Sequence, residues 1–167
     1  MQLTAYSLQL TAVRRLPFAV CCLLFAVCSQ GTRTGSKVIA PPAGMKTIAI
    51  LIGKDTIQAE VANTELTREH GLMDRLGMPA KAGMLFVFDS AGIYPFWMRN
   101  TEFPLSIAFM DGELRITDIE DMTPYDETNF HSPSRPALYA LEVNQGWFAD
   151  HGIQPGVKVE FLDSLPR

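Results

Sequence analysis

A short segment around position 98 combines large apolar side chains with a guanidinium group and an amide. It has the sequence Phe-Trp-Met-Arg-Asn-Thr over residues 96–101. If the segment is a strand, Trp97 and Arg99 share one face and the flanking Phe and Met share the other, since side chains alternate along a strand. An exposed tryptophan beside an arginine suits stacking and the binding of a carboxylate or a sugar hydroxyl. Trp97, Arg99 and Asn100 are therefore candidate ligand-binding residues, whereas the Phe and Met favour core packing.

Glu142 is the one charged residue in the apolar run 137–143. A carboxylate at such a position must be paired or hydrated, and Arg99 is a suitable partner. Two alternatives stay open for this residue. One is a structural ion pair between Glu142 and Arg99. The other is a functional carboxyl group with a raised pKa, which accepts a ligand or acts as a general base.

His131 lies in a polar loop predicted over 123–136, close to Asp126 and Glu127. Loops of this kind often carry binding and catalytic residues, so His131 is a further candidate ligand-binding residue. The alternative is a solvated loop histidine. The sequence favours this alternative because no residue type or spacing fixes a partner for the ring.

Several common chemistries lack their sequence pattern. The chain has no G-x-S-x-G motif, no P-loop and no dinucleotide-binding glycine pattern, and its 3 histidines do not have a metal-binding spacing. Asp118, Glu120 and Asp121 could hold a hard cation, but a solvated strand edge that resists aggregation is the preferred interpretation. We therefore predict no metal and no cofactor, and we leave catalysis uncertain with a preference against an enzyme.

Composition sets the class of protein. The chain has 167 residues, of which 47% are hydrophobic and 19% charged, as is usual for a soluble globular protein of one domain. Its 14 Lys and Arg against 18 Asp and Glu give a formal net charge of −4. A nucleic-acid-binding protein needs a basic face. We therefore expect no nucleic-acid partner.

The first 28 residues match an export signal. Arg14 and Arg15 precede an apolar run over 16–27, which is shorter than the roughly 20 residues that cross a bilayer as a helix. Cys28 is a lipidation candidate; the alternative is ordinary cleavage near Cys28 or Ser29. Residues 29–45, rich in Gly, Ser, Thr and Pro, predict a flexible tether. We expect an exported protein in the periplasm, or one anchored to the membrane by this lipid alone and facing the periplasm.

The remaining residues, 46–167, are predicted to form a single globular domain. Strands are predicted over 48–52, 56–61, 84–88, 95–98, 105–110, 114–122, 137–143 and 157–161, and helices over 63–75 and 145–151. Asn63 or Thr64 is expected to cap the first helix, with Leu66 and His70 on its packed face and Gly71 as an earlier end. Asp111 and Gly112 predict a hairpin with a type I′ turn.

These short segments predict a β-rich α+β fold rather than a doubly wound parallel sheet. We expect one small domain with a twisted or barrel-like, mostly antiparallel sheet of seven or eight short strands and one or two short helices.

Four motifs resemble a bacterial and archaeal family of uncharacterised proteins, domain of unknown function 192. They are GLMDR at 71–75, GMLFVF at 83–88, FWMRNT at 96–101 with Pro104-Leu105, and LEVN at 141–144 with Gly146. Their order and spacing are similar over 57–162. The resemblance implies a fold and, since many members carry a similar leader, export; it implies no established activity. Some members have a cysteine pair in the loop before the last motif. Residues 125–134 contain none, so any role of that pair does not carry over.

Together these features predict a non-catalytic module that binds a small polar or carboxylate-bearing ligand at a cleft near Trp97, Arg99, Asn100 and Glu142. The first alternative is an envelope domain that interacts with another protein. The second is an enzyme that uses Glu142 or His131 as an acid or base. A concave setting of Arg99 favours a small ligand, and a flat setting favours a protein partner.

Overall fold

A computed structural model describes residues 45–166, in which the chain forms seven strands and two short helices. The strands are β1 (Thr47–Ile52), β2 (Asp55–Ala62), β3 (Ala82–Gly92), β4 (Leu105–Met110), β5 (Ile116–Met122), β6 (Ala137–Asn144) and β7 (Val159–Phe161). The helices are α1 (Glu65–His70) and α2 (Trp147–Asp150). The predicted β-rich α+β domain with a mostly antiparallel sheet is confirmed.

The strands form one sheet in the order β5-β4-β6-β3-β2-β1-β7. Every neighbouring pair is antiparallel except β2 and β3, which are parallel. The sheet curls into a half-barrel, and the segments at its two edges meet. There the Ile116 amide donates to the Val157 carbonyl at 3.0 Å, and the Val159 amide donates to the Leu114 carbonyl at 2.8 Å.

The parallel pair β2 and β3 requires a crossover connection, and residues 63–81 provide it with helix α1. The Thr64 hydroxyl caps this helix by accepting from the Thr67 amide at 3.2 Å, and the helix ends at Gly71, where φ is 52°. The cap and the early end follow the prediction. The predicted packed face of the helix is wrong, since Leu66 is 76% exposed and none of the helical residues is buried. The helix lies on the surface, and the residues after it enter the core.

The two faces of the sheet carry two separate hydrophobic clusters. The cluster on the concave face draws buried residues from all seven strands and from α2. The cluster on the outer face draws on β2 to β6, together with Leu72, Met98 and Phe103. These three residues come from connecting segments, so the segments cover the outer face of the sheet.

Two local predictions were wrong. Residues 95–98 do not form a strand; Phe96 makes only an isolated bridge with His131. The hairpin between β4 and β5 is present, but its left-handed residue is Leu114, with φ 62°. The Asp111 side chain accepts from the Glu113 and Arg115 amides, both at 3.0 Å. This carboxylate stabilises a longer turn than the predicted two-residue one.

The predicted export signal, Cys28 and nearly all of the predicted tether lie outside the described residues. Met45, the last residue assigned to the tether, packs against the outer cluster. Within residues 45–166, neither helix has both the length and the apolar character to cross a membrane.

Candidate functional site

A cavity of about 820 Å³ lies against the outer face of the sheet. Helix α1 and the residues after it, strands β3 and β6, segment 94–101 and Phe130 form its walls. Four of the five predicted ligand-binding residues line it: Trp97, Arg99, Asn100 and Glu142. Residues from distant parts of the sequence therefore meet in one concave site, hereafter called the outer cavity.

Trp97 and Arg99 form the cationic edge of the outer cavity. The Arg99 Cζ lies 5.4 Å from the centre of the Trp97 ring, a cation–π distance. Phe130 stacks on the same tryptophan with ring centres 5.9 Å apart. Within residues 45–166 the Arg99 side chain takes part in no ion pair. Its forked donors therefore remain available to a ligand.

A tight turn positions this edge. Asn100 adopts a left-handed conformation with φ 50°, which asparagine tolerates better than most residues. The Thr101 amide donates to the Met98 carbonyl at 3.2 Å, and the Met98 amide donates to the Asp126 carbonyl at 3.0 Å. The turn places Met98 in the core at 1% exposure and leaves Arg99 and Asn100 exposed. Met98 is thus buried, as its apolar character predicts, and Arg99 lies beside Trp97 although the segment is not a strand.

Glu142 lies at the floor of the outer cavity with 5% exposure. It is paired in register with Met84 on β3 and Ile107 on β4, so both lateral neighbours are apolar. Burial raises the pKa of the Glu142 carboxyl from 4.5 to about 8, and the charge of Arg75 opposes that rise. At neutral pH the Glu142 carboxyl is therefore mainly protonated, and it can donate a hydrogen bond.

The predicted ion pair between Arg99 and Glu142 does not form within the described residues. A different pair occupies the interior: the Arg75 guanidinium binds both carboxylate oxygens of Glu60, at 2.6 and 2.8 Å. Arg75 and Glu60 are 5% and 8% exposed. Because Glu60 already neutralises Arg75, Glu142 lacks a full counter-charge. The sequence analysis missed this pair. In the sequence, Glu60 alternates with the apolar residues of β2, and Arg75 is the last residue of the GLMDR motif.

His131 is not part of the outer cavity. Its Nδ1 lies 2.7 Å from the Glu120 Oε2, and its backbone exchanges two hydrogen bonds with Phe96, at 2.8 and 2.9 Å. The histidine therefore ties the 123–136 loop to segment 95–98 and to β5. This placement separates it from the other four candidates.

The three carboxylates of β5 do not converge on a common point. Glu120 binds His131, the Ser106 hydroxyl donates to Asp121, and the Ser134 amide donates to Asp118 at 3.2 Å. In the part of the chain that the structure describes, no three acidic, histidine or cysteine side chains are grouped as a metal site would require.

A second aromatic pair lines the opposite part of the outer cavity. Phe88 and Tyr94 stack with ring centres 3.8 Å apart and planes inclined by 7°. Arg68 lies over Phe88 at 5.7 Å, but it is occupied: it donates to the Asn63 and Val87 carbonyls at 3.0 and 2.9 Å. The cavity thus has aromatic walls, one occupied arginine, one available arginine and a buried acid.

The chain belongs to the domain of unknown function 192 family (DUF192, described as "Uncharacterized ACR"), whose sequence profile matches residues 48–161. The search among curated proteins found no match.

Two crystal structures are similar to the chain. One is a protein of unknown function from Novosphingobium aromaticivorans DSM 12444, with 34% identity and a TM-score of 0.69; the match covers 78% of this chain and 99% of that one. The other is a proposed transcription regulator from Sinorhizobium meliloti 1021, with 29% identity and a TM-score of 0.68; the match covers 72% of this chain and 97% of that one. Neither description assigns a ligand.

Proposed function

We propose that this chain is an exported envelope domain, free or lipid-anchored, that binds a small ligand carrying a carboxylate without transforming it. The observation that carries this proposal is the outer cavity itself, which brings the available guanidinium of Arg99 together with Trp97, Asn100 and Glu142. Its volume of about 820 Å³ lies within the usual range of small-molecule sites, about 300–1,000 Å³.

The setting of Arg99 favours a small ligand over a protein partner. Arg99 lines a concave site, and an aromatic ring supports its guanidinium from one side. A supported guanidinium loses less freedom when it binds, and its planar fork matches the two oxygens of a carboxylate. The aromatic walls provide apolar contact for the body of the ligand.

An enzyme is the second candidate, and one observation favours it. Glu142 is a buried acid with a pKa of about 8 in a cavity, which is a common setting for a general acid. In that case Glu142→Gln keeps the fold and the ligand affinity but abolishes turnover. The binding proposal instead predicts no turnover in the wild type or in the Glu142→Gln variant.

Export is supported by the leader pattern of residues 1–28 and by the family resemblance, since many members carry a similar leader. The proposed location is the periplasm or the membrane surface that faces it, with Cys28 as the attachment point in the lipid-anchored form. The predicted tether over 29–45 would then hold the domain off the membrane.

The binding proposal is tested by a thermal-shift screen of the full chain against sugars, amino acids, organic acids and nucleotides. A ligand at 100 times its Kd adds about 2.7 kcal/mol of stability, which raises the Tm of a domain of this size by several degrees. A carboxylate hit should disappear in Arg99→Ala and persist in Arg135→Ala, whose exposed guanidinium lies outside the outer cavity. A silent screen with normal melting of the unliganded protein contradicts the proposal.

A further inference from the structure

The outer cavity holds more than a carboxylate-binding arginine. It has available positive charge at its edge on Arg99 and an unpaired acid at its floor on Glu142. No protein group in residues 45–166 contributes a hydrogen bond to the stabilisation of the ionised Glu142 carboxyl. A ligand that brings only a carboxylate binds Arg99 and leaves the 5%-exposed Glu142 carboxyl without a charged partner of its own.

The groups around Glu142 determine what it accepts. Its neighbours in the sheet, Met84 and Ile107, are apolar. Arg75 is the charged group that acts on it, and Glu60 already binds Arg75 through both oxygens. The other charged or titratable residues that line the cavity are Arg68, Glu69, His70, Asp74, Tyr94 and Arg99. The two arginines balance the carboxylates of Glu69 and Asp74, so ionisation of Glu142 adds a negative charge that none of these four groups offsets.

Aromatic residues make up part of the walls of the outer cavity. The Phe86, Phe88 and Phe96 side chains all line the outer cavity. Phe96 packs edge-on against Phe86, with ring centres 4.9 Å apart. The faces of aromatic rings attract an ammonium group, more strongly where water is excluded. An ammonium group beside Glu142 would donate a charge-assisted hydrogen bond to the newly ionised carboxylate.

From this arrangement we infer that the ligand is a small zwitterion, an amino-acid-like molecule whose carboxylate binds Arg99 and whose ammonium group binds Glu142. The inference rests on the proposed function and names the ligand class of that site. Binding then has a proton balance. The protonated Glu142 carboxyl gives its proton to the solvent, and the carboxylate that remains pairs with the ligand ammonium group, so about one proton leaves per ligand bound.

Four probes with related side chains test the inference by isothermal titration calorimetry on the full chain. L-phenylalanine and L-phenylalanylglycine carry both charges at two different spacings, 3-phenylpropionate carries only the carboxylate, and phenethylamine carries only the ammonium group. At pH 7, in two buffers of different ionisation enthalpy, at least one zwitterion should bind most tightly and release about one proton. Its Kd should fall about tenfold from pH 6 to pH 7, because the Glu142 carboxyl must lose its proton before it pairs with the ligand ammonium group.

Two variants separate the two ends of the site. Glu142→Gln should bind the zwitterion without proton release or pH dependence, and Glu113→Gln, altered at an exposed turn residue, should behave as the wild type. Arg99→Ala should reduce the affinity for the zwitterion to that for phenethylamine. Proton release is measured on the wild-type protein, so the test does not depend on the stability of a variant.

Three results overturn the inference. If 3-phenylpropionate binds as tightly as the zwitterions and no proton is released, the ligand class is wrong while the carboxylate-binding proposal stands. If none of the four probes binds but another organic acid is a hit in the thermal-shift screen, the ligand class is wrong again. If none of the four probes binds and no compound in the thermal-shift screen is a hit, both the ligand class and the proposed function are wrong.

Discussion

Glu142 is a carboxyl group on a strand whose other positions are apolar, and the two faces of that strand explain how it is accommodated. Leu141 and Val143 point to the concave cluster, while Glu142 points to the outer face beside the Arg75–Glu60 pair. The residue is 5% exposed, and its side chain lines the outer cavity. Because Glu60 already neutralises Arg75, protonation is the least costly state for Glu142.

This protonation state predicts how stability depends on pH. The folded-state pKa of Glu142, about 8, exceeds its ordinary value of 4.5, so folding takes up a proton between these two pH values. The free energy of unfolding should therefore fall as pH rises from 4.5 to about 8, with a contribution of up to about 1.4 kcal/mol per pH unit from this group. Urea denaturation at a series of pH values measures this dependence.

Glu142→Gln should remove that contribution, because an amide does not titrate, whereas Glu113→Gln should keep it. The stability of the Glu142→Gln variant relative to the wild type should thus improve as pH rises. Parallel stability curves for the wild type and Glu142→Gln would show that Glu142 is ionised in the folded protein.

At the scale of elements, the contact between β3 and β6 fixes the floor of the outer cavity. Gly83 lies opposite Val143 in register, and a Cβ at position 83 would lie 2.8 Å from the Glu142 carbonyl oxygen. The backbones of the two strands approach each other closely here, which only glycine permits. The glycine of the GMLFVF motif therefore has a packing role beside the candidate site.

Gly83→Ala should lower the free energy of unfolding by about 1–3 kcal/mol, because the added methyl group must push β6 away from β3. Gly77→Ala is the matched control, since a Cβ there meets no atom within 4 Å. Thermal or urea denaturation compares the two. Equal stability of the two variants would mean that the strands are not as close as described, and the position of Glu142 would need revision.

At the scale of the whole molecule, the site lies on the outside of the curl rather than in its interior. Side chains from all seven strands and from α2 pack together on the concave face and form a hydrophobic cluster there. The connecting segments 63–81 and 93–104 and the 123–136 loop lie over the opposite face and leave the outer cavity between them. The concave cluster and the site are thus on opposite faces of one sheet, and the site shares its face with the outer cluster. A variant at an exposed cavity residue such as Arg99 can alter binding with little effect on either cluster.

The proposed anchoring of the whole protein gives a localisation prediction. In a bacterial host that processes lipoproteins, Cys28→Ser should move the mature protein from the membrane fraction to the soluble periplasmic fraction, because it removes the thiol that carries the lipid. Cys21→Ser, within the apolar run of the leader, should leave the distribution unchanged. Cell fractionation followed by immunoblotting measures both. Wild-type protein found in the soluble periplasm would support ordinary cleavage, and protein found in the cytoplasm would contradict export.

Local sequence was sufficient for the elements and for the residues that do not depend on distant partners. The alternating strands, the Thr64 cap and the end of α1 at Gly71 follow from interactions within a few residues, which act before the chain is folded. The four family motifs predict the β-rich domain as a whole. Segment 95–98 shows the limit of prediction from local sequence. Its apolar residues predict a strand, but the segment leads into a turn that hydrogen bonds with the 123–136 loop stabilise.

Tertiary structure alone decided which charges meet. The sheet brings together segments that are far apart in the sequence. This arrangement decides that Arg75 rather than Arg99 acts on Glu142. It also decides that His131 binds Glu120 and does not join the site. Residue type predicts that a buried carboxyl needs a partner, but strand order and register determine whether one is within reach. In this fold the partner of Arg75 is Glu60, and the state of Glu142 follows from that pairing.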